Sequence, residues 1–547
     1  MVQLLYTGAS KYEVTMNPTT GQGADNRRRI NVSSAAVLLI AMGLIGQILG
    51  FLRTKLVNGN FPAIGPHSTD AYFAAFSIPD FFFFTLAAGA LGVAFMPALS
   101  DHLHKNDRRG VWELATWLLN LLAIIMTAVG VIMFVFAEPL IHYVVAPSLQ
   151  GEQLHTATTI MRLIAFNPLL FTISGIITSV QQTLGRFFFY AIAPLFYNLS
   201  IILSIYIFKH SIGLVGLGIG AAVGAVLQLL VVFMGNYKLN FHYRPRINWS
   251  SREFKQILGN LPPRSLDQGI DQVNSVVETN IASSLSQGSI TYYNNAYVLS
   301  TAPILLIGTA ISTAAFPRLN QHLSRGRQDL FRRDFLKILR AMIWISAPLV
   351  VVCFFARGYL ARLIFTQGNA KIAAIFGFLT AAIFFRILYS IMSRWFYAQR
   401  DTRTPLLVSI FTIGLNIFLA YHLARRTSYD VEGLAIAQSL VATIEVFVLG
   451  GIMLIRDHKL FDRDFVSGIW RIISVTGFSV LAGYMTVSTY PFEINDRGFI
   501  TLGSKLALIA FVTLGTHILV SALFDLDEVK PIFKRVRRLI FRPIRID

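Results

Sequence analysis

The chain has 547 residues, of which 54% are hydrophobic and only 14% charged, with a formal net charge of +19 and a mean hydropathy of +0.59. Soluble proteins carry roughly 25% charged residues, so a soluble globular fold is excluded, and a single cysteine, Cys353, leaves no partner for a disulfide within the chain. The excess Lys and Arg sits in short loops between apolar runs and at the C-terminus, which is the placement of a membrane topology signal and not of a nucleic-acid surface.

Residues 1–30 are polar and end in "NRRR", which imitates the basic part of a signal peptide. The apolar run that follows is too long and has no Ala-x-Ala exit, so it is expected to be a retained helix behind a cytoplasmic tail. Met16 offers an alternative start to Met1, and the intact mass of the purified chain distinguishes the two. Apolar runs long enough to cross a bilayer then recur about fourteen times. They fall near 32–57, 70–98, 112–137, 157–183, 187–208, 212–235 and 260–286 in the first part of the chain. The rest lie near 290–316, 338–356, 372–398, 404–424, 431–455, 467–489 and 501–524. The predicted class is therefore all-α, a polytopic membrane protein.

Even-numbered loops carry the cations: Lys105, Arg108 and Arg109 after the second span, Lys238, Arg244 and Arg246 after the sixth, Arg325 and Arg327 after the eighth. The loops "VNGNFPAIGPHST" and "EPLIHYVVAPSLQGEQLHT" have none. Both termini and the even loops are thus expected on the cytoplasmic side, with Arg357, Arg362, Arg425 and Arg426 as exceptions. Three matches in the same order mark a duplication: "FMPALSDHL" returns as "AFPRLNQHL", "YNLSIIL" as "LNIFLAY", and "GLGIGAA" as "GLAIAQS", each roughly 220 residues on. The expected organisation is a tail (1–30), a six-helix half (31–240), a second six-helix half (250–460), two added spans (465–525) and a basic tail (526–547). Parallel repeats with a site between them are a transporter architecture.

No enzyme signature is present: H-E-x-x-H, G-x-x-x-x-G-K-[ST], G-x-S-x-G and C-x-x-C are all missing. The eleven histidines are scattered, so no metal site is expected. The informative residues are charges inside spans, which cost roughly 3 kcal/mol each at the bilayer centre and so must face water or partners. The seventh span places Arg264, Asp267, Asp271, Asn274 and Glu278 on one helical face. Arg53 and Arg386 lie within the first and tenth spans, and Asp70 and Asp80 bracket the aromatic second span "STDAYFAAFSIPDFFFF". At the mouth of that span Asp70 either caps its own helix or belongs to an outer gate. Gly216, Gly220 and Gly224 form a small-residue ridge for helix packing.

On these residues the chain resembles the MurJ/MviN lipid II flippases, within the superfamily that includes MATE exporters and polysaccharide flippases. "GQILGFLRT" stands for the family's S-R-x-L-G-F-x-R-D, and "TDAYFAAFSIPDFFF" followed by "AAG" for T-D-A-F-x-x-A-F-x-x-P-N-x-x-R followed by A-E-G. "AFPRL", "FYAQRDTRTP" and most of the seventh span match as well. Where the family has cavity arginines this chain has Gln47, Phe83 and Val298, and Ala88 replaces the acid of A-E-G. The resemblance implies a flippase of undecaprenyl-pyrophosphate-linked disaccharide-peptide that works by alternating access in the bacterial plasma membrane. Arg53, Arg264, Arg386, Asp70 and Asp80 would then line the cargo cavity, where arginine suits a pyrophosphate through bidentate hydrogen bonds. Asp267, Asp271 and Glu278 would serve coupling to Na⁺, H⁺ or the membrane potential, with no cofactor. Export of another polyprenyl-linked glycan or amphipathic molecule is the alternative, and a scaffold recruiting cell-wall proteins a third.

Overall fold

Within lipid the backbone has no water to bond, so each apolar run must satisfy its own N–H and C=O groups as a helix. The computed structural model describes residues 32–88, 95–105, 107–237, 239, 241, 243–365, 368–493, 496 and 498–530. Among them there is no strand. The first bundle comprises α1 (Val32–Asn60), α2 (Thr69–Phe82), α3 (Met96–His104), α4 (Arg108–Val135), α5 (Gly151–Ile164), α6 (Asn167–Thr183), α7 (Phe188–Phe208) and α8 (Val215–Met234). The second comprises α9 (Arg252–Ser283), α10 (Ser289–Pro303), α11 (Ala310–Ser324), α12 (Gln328–Phe355), α13 (Arg357–Ile364), α14 (Asn369–Ala398), α15 (Arg403–Arg425) and α16 (Glu432–Arg456). Two more, α17 (Arg463–Thr489) and α18 (Phe499–Leu523), close the chain.

Eleven of the described helical stretches are long and apolar enough to cross a membrane. Beside them, α1 and α9 have spanning length at 29 and 32 residues, but α9 is too polar to be counted on composition. Several helices outrun the apolar segments that announced them. α9 starts at Arg252 and not near 260, because Ser251 caps it by accepting from the Phe254 N–H. α12 starts at Gln328, ten residues before its apolar run, since a charged first turn is soluble outside the bilayer. The expected span 157–183 is two helices broken at Ala165–Phe166, where Pro168 begins the second in its first turn.

The duplication is visible in the backbone. A π-helical turn at Phe83–Ala88 follows α2, and its counterpart at Ile304–Thr309 follows α10, 221 residues later. The second runs directly into a short segment, α11, and α3 holds the corresponding place in the first half, both at the lysine- and arginine-rich end. The repeated histidines end these segments in the same way. His102 bonds Asp107 and Glu253, and His322 bonds Asp334.

In the first bundle α7 and α8 pack most closely, through the glycine ridge. A Cβ on Gly220 would meet Ser204 Oγ at 2.3 Å, and one on Gly224 would meet the Tyr197 backbone at 3.0 Å. The added pair α17 and α18 rests on α12 of the second bundle through Trp344, Ile472 and Val475, with Trp344 Nε1 donating to Ser521 Oγ at 2.8 Å. Cys353 is buried in the core of the second bundle. Replacing Gly224 by Leu overpacks the α7–α8 contact, so it is expected to destabilise the protein by about 2 kcal/mol. Thermal unfolding of the purified protein in detergent measures this as a lowered midpoint.

Candidate functional site

At the arginine-poor end one carboxylate joins α2 to the start of α10. Asp70, in the first turn of α2, does not cap its own helix. It accepts from the N–H of Gly288 (3.0 Å), the N–H of Thr291 (2.8 Å) and the hydroxyl of Thr291 (2.6 Å), all at the start of α10. Orphan N–H groups and the positive end of a helix dipole favour an anion there. Gly288 makes the approach possible: its φ of +86° suits glycine, and a Cβ would sit 3.0 Å from the Ala63 carbonyl oxygen. Thr69 and Thr291 share a 2.9 Å hydroxyl bond, and Asn58 and Asn295 exchange side-chain amide bonds of 3.2 and 2.8 Å. Asn280 Nδ2 donates to the Val144 carbonyl at 2.8 Å, and Ser148 bonds the Ser283 carbonyl.

The loop that presents Gly288 is itself held from the second bundle. Asp430 accepts from the Ser286 N–H at 3.2 Å and pairs with Lys371 at 3.2 Å. Burial works against the charge of Asp430, but the Ser286 hydroxyl and N–H and the Lys371 ammonium outweigh it and hold the carboxyl below its usual range.

Deeper in each bundle lies a charged cluster. In the first, Arg53 of α1 is within electrostatic range of Asp80 of α2, of Tyr72 and of Tyr197 on α7. Asp80 is exposed although it lies in a membrane helix, so it faces polar surroundings and not lipid. Phe83 carries no charge but stacks edge-on against Phe171 at 5.5 Å, which in turn meets Tyr197 at 5.3 Å. The aromatic run thus builds a wall whose far end, Tyr197, lies within electrostatic range of Arg53 and Asp80.

In the second bundle Arg386 of α14 pairs with Glu445 of α16 at 3.5 Å, with Asp271 of α9 also within electrostatic range. Glu445 is buried and accepts from Ser409 (3.0 Å) and Thr412 (3.4 Å), while Tyr389 bonds Ser409 at 3.1 Å. The sequence reasoning missed Glu445, although a lone acid in the run "VATIEVFVLGG" is the same signal that singled out Arg386.

A third polar centre surrounds Glu278. Its Oε1 accepts from Asn274 (3.0 Å), Asn416 (2.7 Å) and Gln438 (2.6 Å), and its Oε2 from the Tyr293 hydroxyl (3.0 Å). Asn416 also donates to Asn274 at 2.8 Å, and its own Oδ1 is buried without a hydrogen-bond partner. This set joins α9, α10, α15 and α16. Among the described residues no group of three or more His, Cys, Asp or Glu gathers as a metal site. Three amide N–H groups and a phenol O–H satisfy the Glu278 carboxylate, and Asn416 Oδ1 is left as an open acceptor beside it.

The residues singled out from sequence therefore divide. Arg53 and Asp80 lie within electrostatic range of each other, as do Arg386 and Asp271, while the ion pair of Arg386 is with Glu445. Glu278 is buried in its own network, and Asp70 stands apart at the closed end. The side chains of Arg264 and Asp267 lie outside the described residues, as do those of Ala88 and of the tail 1–30.

A sequence profile described as lipid II flippase MurJ matches residues 65–494. The chain belongs to this family of lipid II flippases. The probable lipid II flippase MurJ of Borreliella burgdorferi is 23% identical over 472 residues, covering 84% of this chain and 91% of the relative. The lipid II flippase MurJ of Burkholderia cenocepacia is 25% identical over 402 residues, covering 70% and 76%. In fold, the chain is similar to a lipid II flippase MurJ solved in an inward closed conformation, with TM-score 0.73, 21% identity, and coverage of 89% of this chain and 98% of that one. An inward-facing MATE transporter of the MOP superfamily follows at TM-score 0.64 and 15% identity, covering 80% of this chain and 98% of that one.

Closure at the arginine-poor end depends on the charge of Asp70, since hydrogen bonds to an ionised group contribute about 1.5–3 kcal/mol. Asp70→Asn keeps the shape and loses the charge. With Cys353→Ala and a reporter cysteine at the fully buried Ala74, Asp70→Asn is expected to speed maleimide labelling roughly tenfold. Unchanged labelling would mean that the other contacts hold this end shut.

Proposed function

We propose that this protein carries lipid II, an undecaprenyl-pyrophosphate bearing a disaccharide-peptide, from the inner to the outer leaflet of the bacterial plasma membrane. The observation that carries this is the division of contacts. At one end the two bundles are joined by a small set of hydrogen bonds centred on Asp70, and at the other by the first turns of α9, while Arg386 pairs with Glu445 inside the second bundle. Breaking the Asp70 set would open that end while α9 keeps the other joined, a rocking motion of the kind alternating access requires. The basic loops support an orientation with the Asp70 end outside and both termini in the cytoplasm. Membership of the flippase family favours this cargo over another polyprenyl-linked glycan and over a scaffold role.

In this proposal Arg53 and Arg386 meet the pyrophosphate, with Arg264 as a third contact, and Asp80 orients Arg53. Glu445 keeps Arg386 charged and aimed while no cargo is present. Asp271 and Glu445 both lie near Arg386, and Glu278 is held by neutral donors alone, so a bound cation would offset local negative charge that opposes an anionic head group. Glu278, Asn274, Asn416 and Gln438 would hold it, and the unpartnered Asn416 Oδ1 supports a small cation such as Na⁺. Cell-wall synthesis proteins are the partners that this activity implies.

In a bacterium depleted of its own lipid II flippase, expression of this chain is expected to restore growth and lipid II at the outer leaflet. Membrane insertion without that exposure would overturn the proposal. Arg386→Ala is expected to stop transport, and the reversed pair Arg386→Glu with Glu445→Arg to fold yet remain inactive. Restored transport in the reversed pair would make it a structural contact only. In vesicles, flipping is expected to depend on Na⁺ or on membrane energisation, and Glu278→Gln to flatten that dependence. Equal rates in de-energised, Na⁺-free vesicles would remove coupling from the mechanism.

A further inference from the structure

A second polar feature lies away from both bundles' interiors, on the flank of α4 at the basic end. The segment after α8 crosses the first turns of α4 and is fastened there by buried side chains. Asn120 Nδ2 donates to the carbonyls of Arg244 (2.9 Å) and Arg246 (3.0 Å), and Trp112 Nε1 to that of Leu239 (3.0 Å). The Arg246 N–H bonds the Arg244 carbonyl at 2.8 Å in a tight turn about Pro245, and both arginines are exposed there. Between them and α4 lies a cavity of about 310 Å³, walled by Glu113, Thr116, Trp117, Arg244, Arg246 and Asn248.

The charge in this pocket is not balanced. Glu113 Oε1 is shared between Arg109 Nε (3.0 Å) and Arg244 Nη1 (3.3 Å), and Arg246 makes no ion pair among the described residues. Two guanidinium groups thus share one carboxylate, and a third, that of Arg246, belongs to the same pocket. Tyr237, Tyr243 and Trp249, exposed by 70%, 53% and 56%, lie on the same segment. Exposed aromatic rings beside arginines mark the level of the lipid head groups.

The same pocket opens onto a path for acyl chains. Trp117 is followed on one face of α4 by Leu121, Ile124, Ala128 and Val131, an unbroken apolar stripe at helical spacing. Ile124 is 63% exposed, and on a membrane-spanning helix such a surface meets lipid tails. We propose that this pocket binds an anionic glycerophospholipid, its phosphate between Arg244 and Arg246 and an acyl chain along the Trp117–Ile124 face of α4. A free phosphate would use the arginines but not the stripe, and a zwitterionic lipid would use the stripe without answering the excess positive charge.

The full-length protein in mild detergent, mixed with phosphatidylglycerol, phosphatidylcholine or inorganic phosphate, tests this by native mass spectrometry and thermal unfolding. Phosphatidylglycerol is expected to be retained several-fold more than phosphatidylcholine and to raise the unfolding midpoint. Arg244→Gln combined with Arg246→Gln is expected to remove that preference. Should the double variant not fold, Glu113→Gln decides: it removes the competing carboxylate and is expected to strengthen phosphatidylglycerol retention. Equal retention of the two lipids overturns the proposal, as does a preference unchanged in the double variant or weakened by Glu113→Gln. Protection by inorganic phosphate alone would reduce the pocket to an anion site, and stronger retention of a polyprenyl pyrophosphate would assign it to cargo.

Discussion

Two helix N-termini brought together repel one another, and α2 and α10 meet in just this way at the arginine-poor end. Asp70 turns that repulsion into a contact. Its carboxylate belongs to the first turn of one helix and satisfies the orphan N–H groups of the other, so a single negative charge answers two positive helix ends. The neighbouring bonds, Thr69 with Thr291 and Asn58 with Asn295, are neutral and individually weaker. The Asp430–Lys371 pair matters through this contact too, because it fixes the loop from which Gly288 presents its N–H. A closure resting mainly on one ionised group can be strong and still open as a unit.

The rest of the charge inside the membrane follows a complementary rule. Among the described residues, Arg386 has Glu445, Glu278 has four donors from amides and a phenol, and Asp80 lies within electrostatic range of Arg53, in each case within one bundle. An unpaired charge in a low-dielectric interior is far costlier than a paired one. Local pairing therefore lets the bundles change their mutual orientation while the desolvation of their charges stays the same. It also sets a condition on cargo. An anionic head group gains from Arg53 or Arg386 only to the extent that it competes with a carboxylate already in place.

Much of the fold was legible because hydrophobicity, loop charge and repetition are local signals. The apolar runs gave the helices, and the shift of roughly 220 residues gave the duplication that reappears as paired π turns. Helix ends were less legible, since α9 and α12 continue into polar turns that a hydropathy argument cannot see. At the site, the residue types were readable and their partners were not. Asp70 reads as a helix-mouth acid from sequence, but the helix it caps starts more than 200 residues away. Glu445 obeyed the same rule as Arg386, an isolated charge in an apolar run, and applying that rule evenly would have found the pair. Phe83 stands where an arginine was expected, and only the stacking of Phe83, Phe171 and Tyr197 explains how the space is filled.

One element belongs to both bundles. The first turns of α9 are held by the first bundle, where Phe254 and Ile257 enter a core with Leu99, Trp112 and Leu118, and Glu253 bonds His102. Its outer half is held in the second bundle through Asn274, Glu278, Asn416 and Gln438, and its last turns also bond Val144 and Ser148 of the first. Any rotation of one bundle against the other must therefore strain α9 or release one of its ends. Between the two anchors the sequence reads "GNLPP", and Pro262 and Pro263 have no N–H to donate to the preceding turn. Two missing helical bonds in succession make this the softest stretch of the helix, so bending there costs less than tearing out Glu278 or Phe254. The polar stripe that the sequence displays on this span is thus carried by the one helix that must deform when the two bundles move.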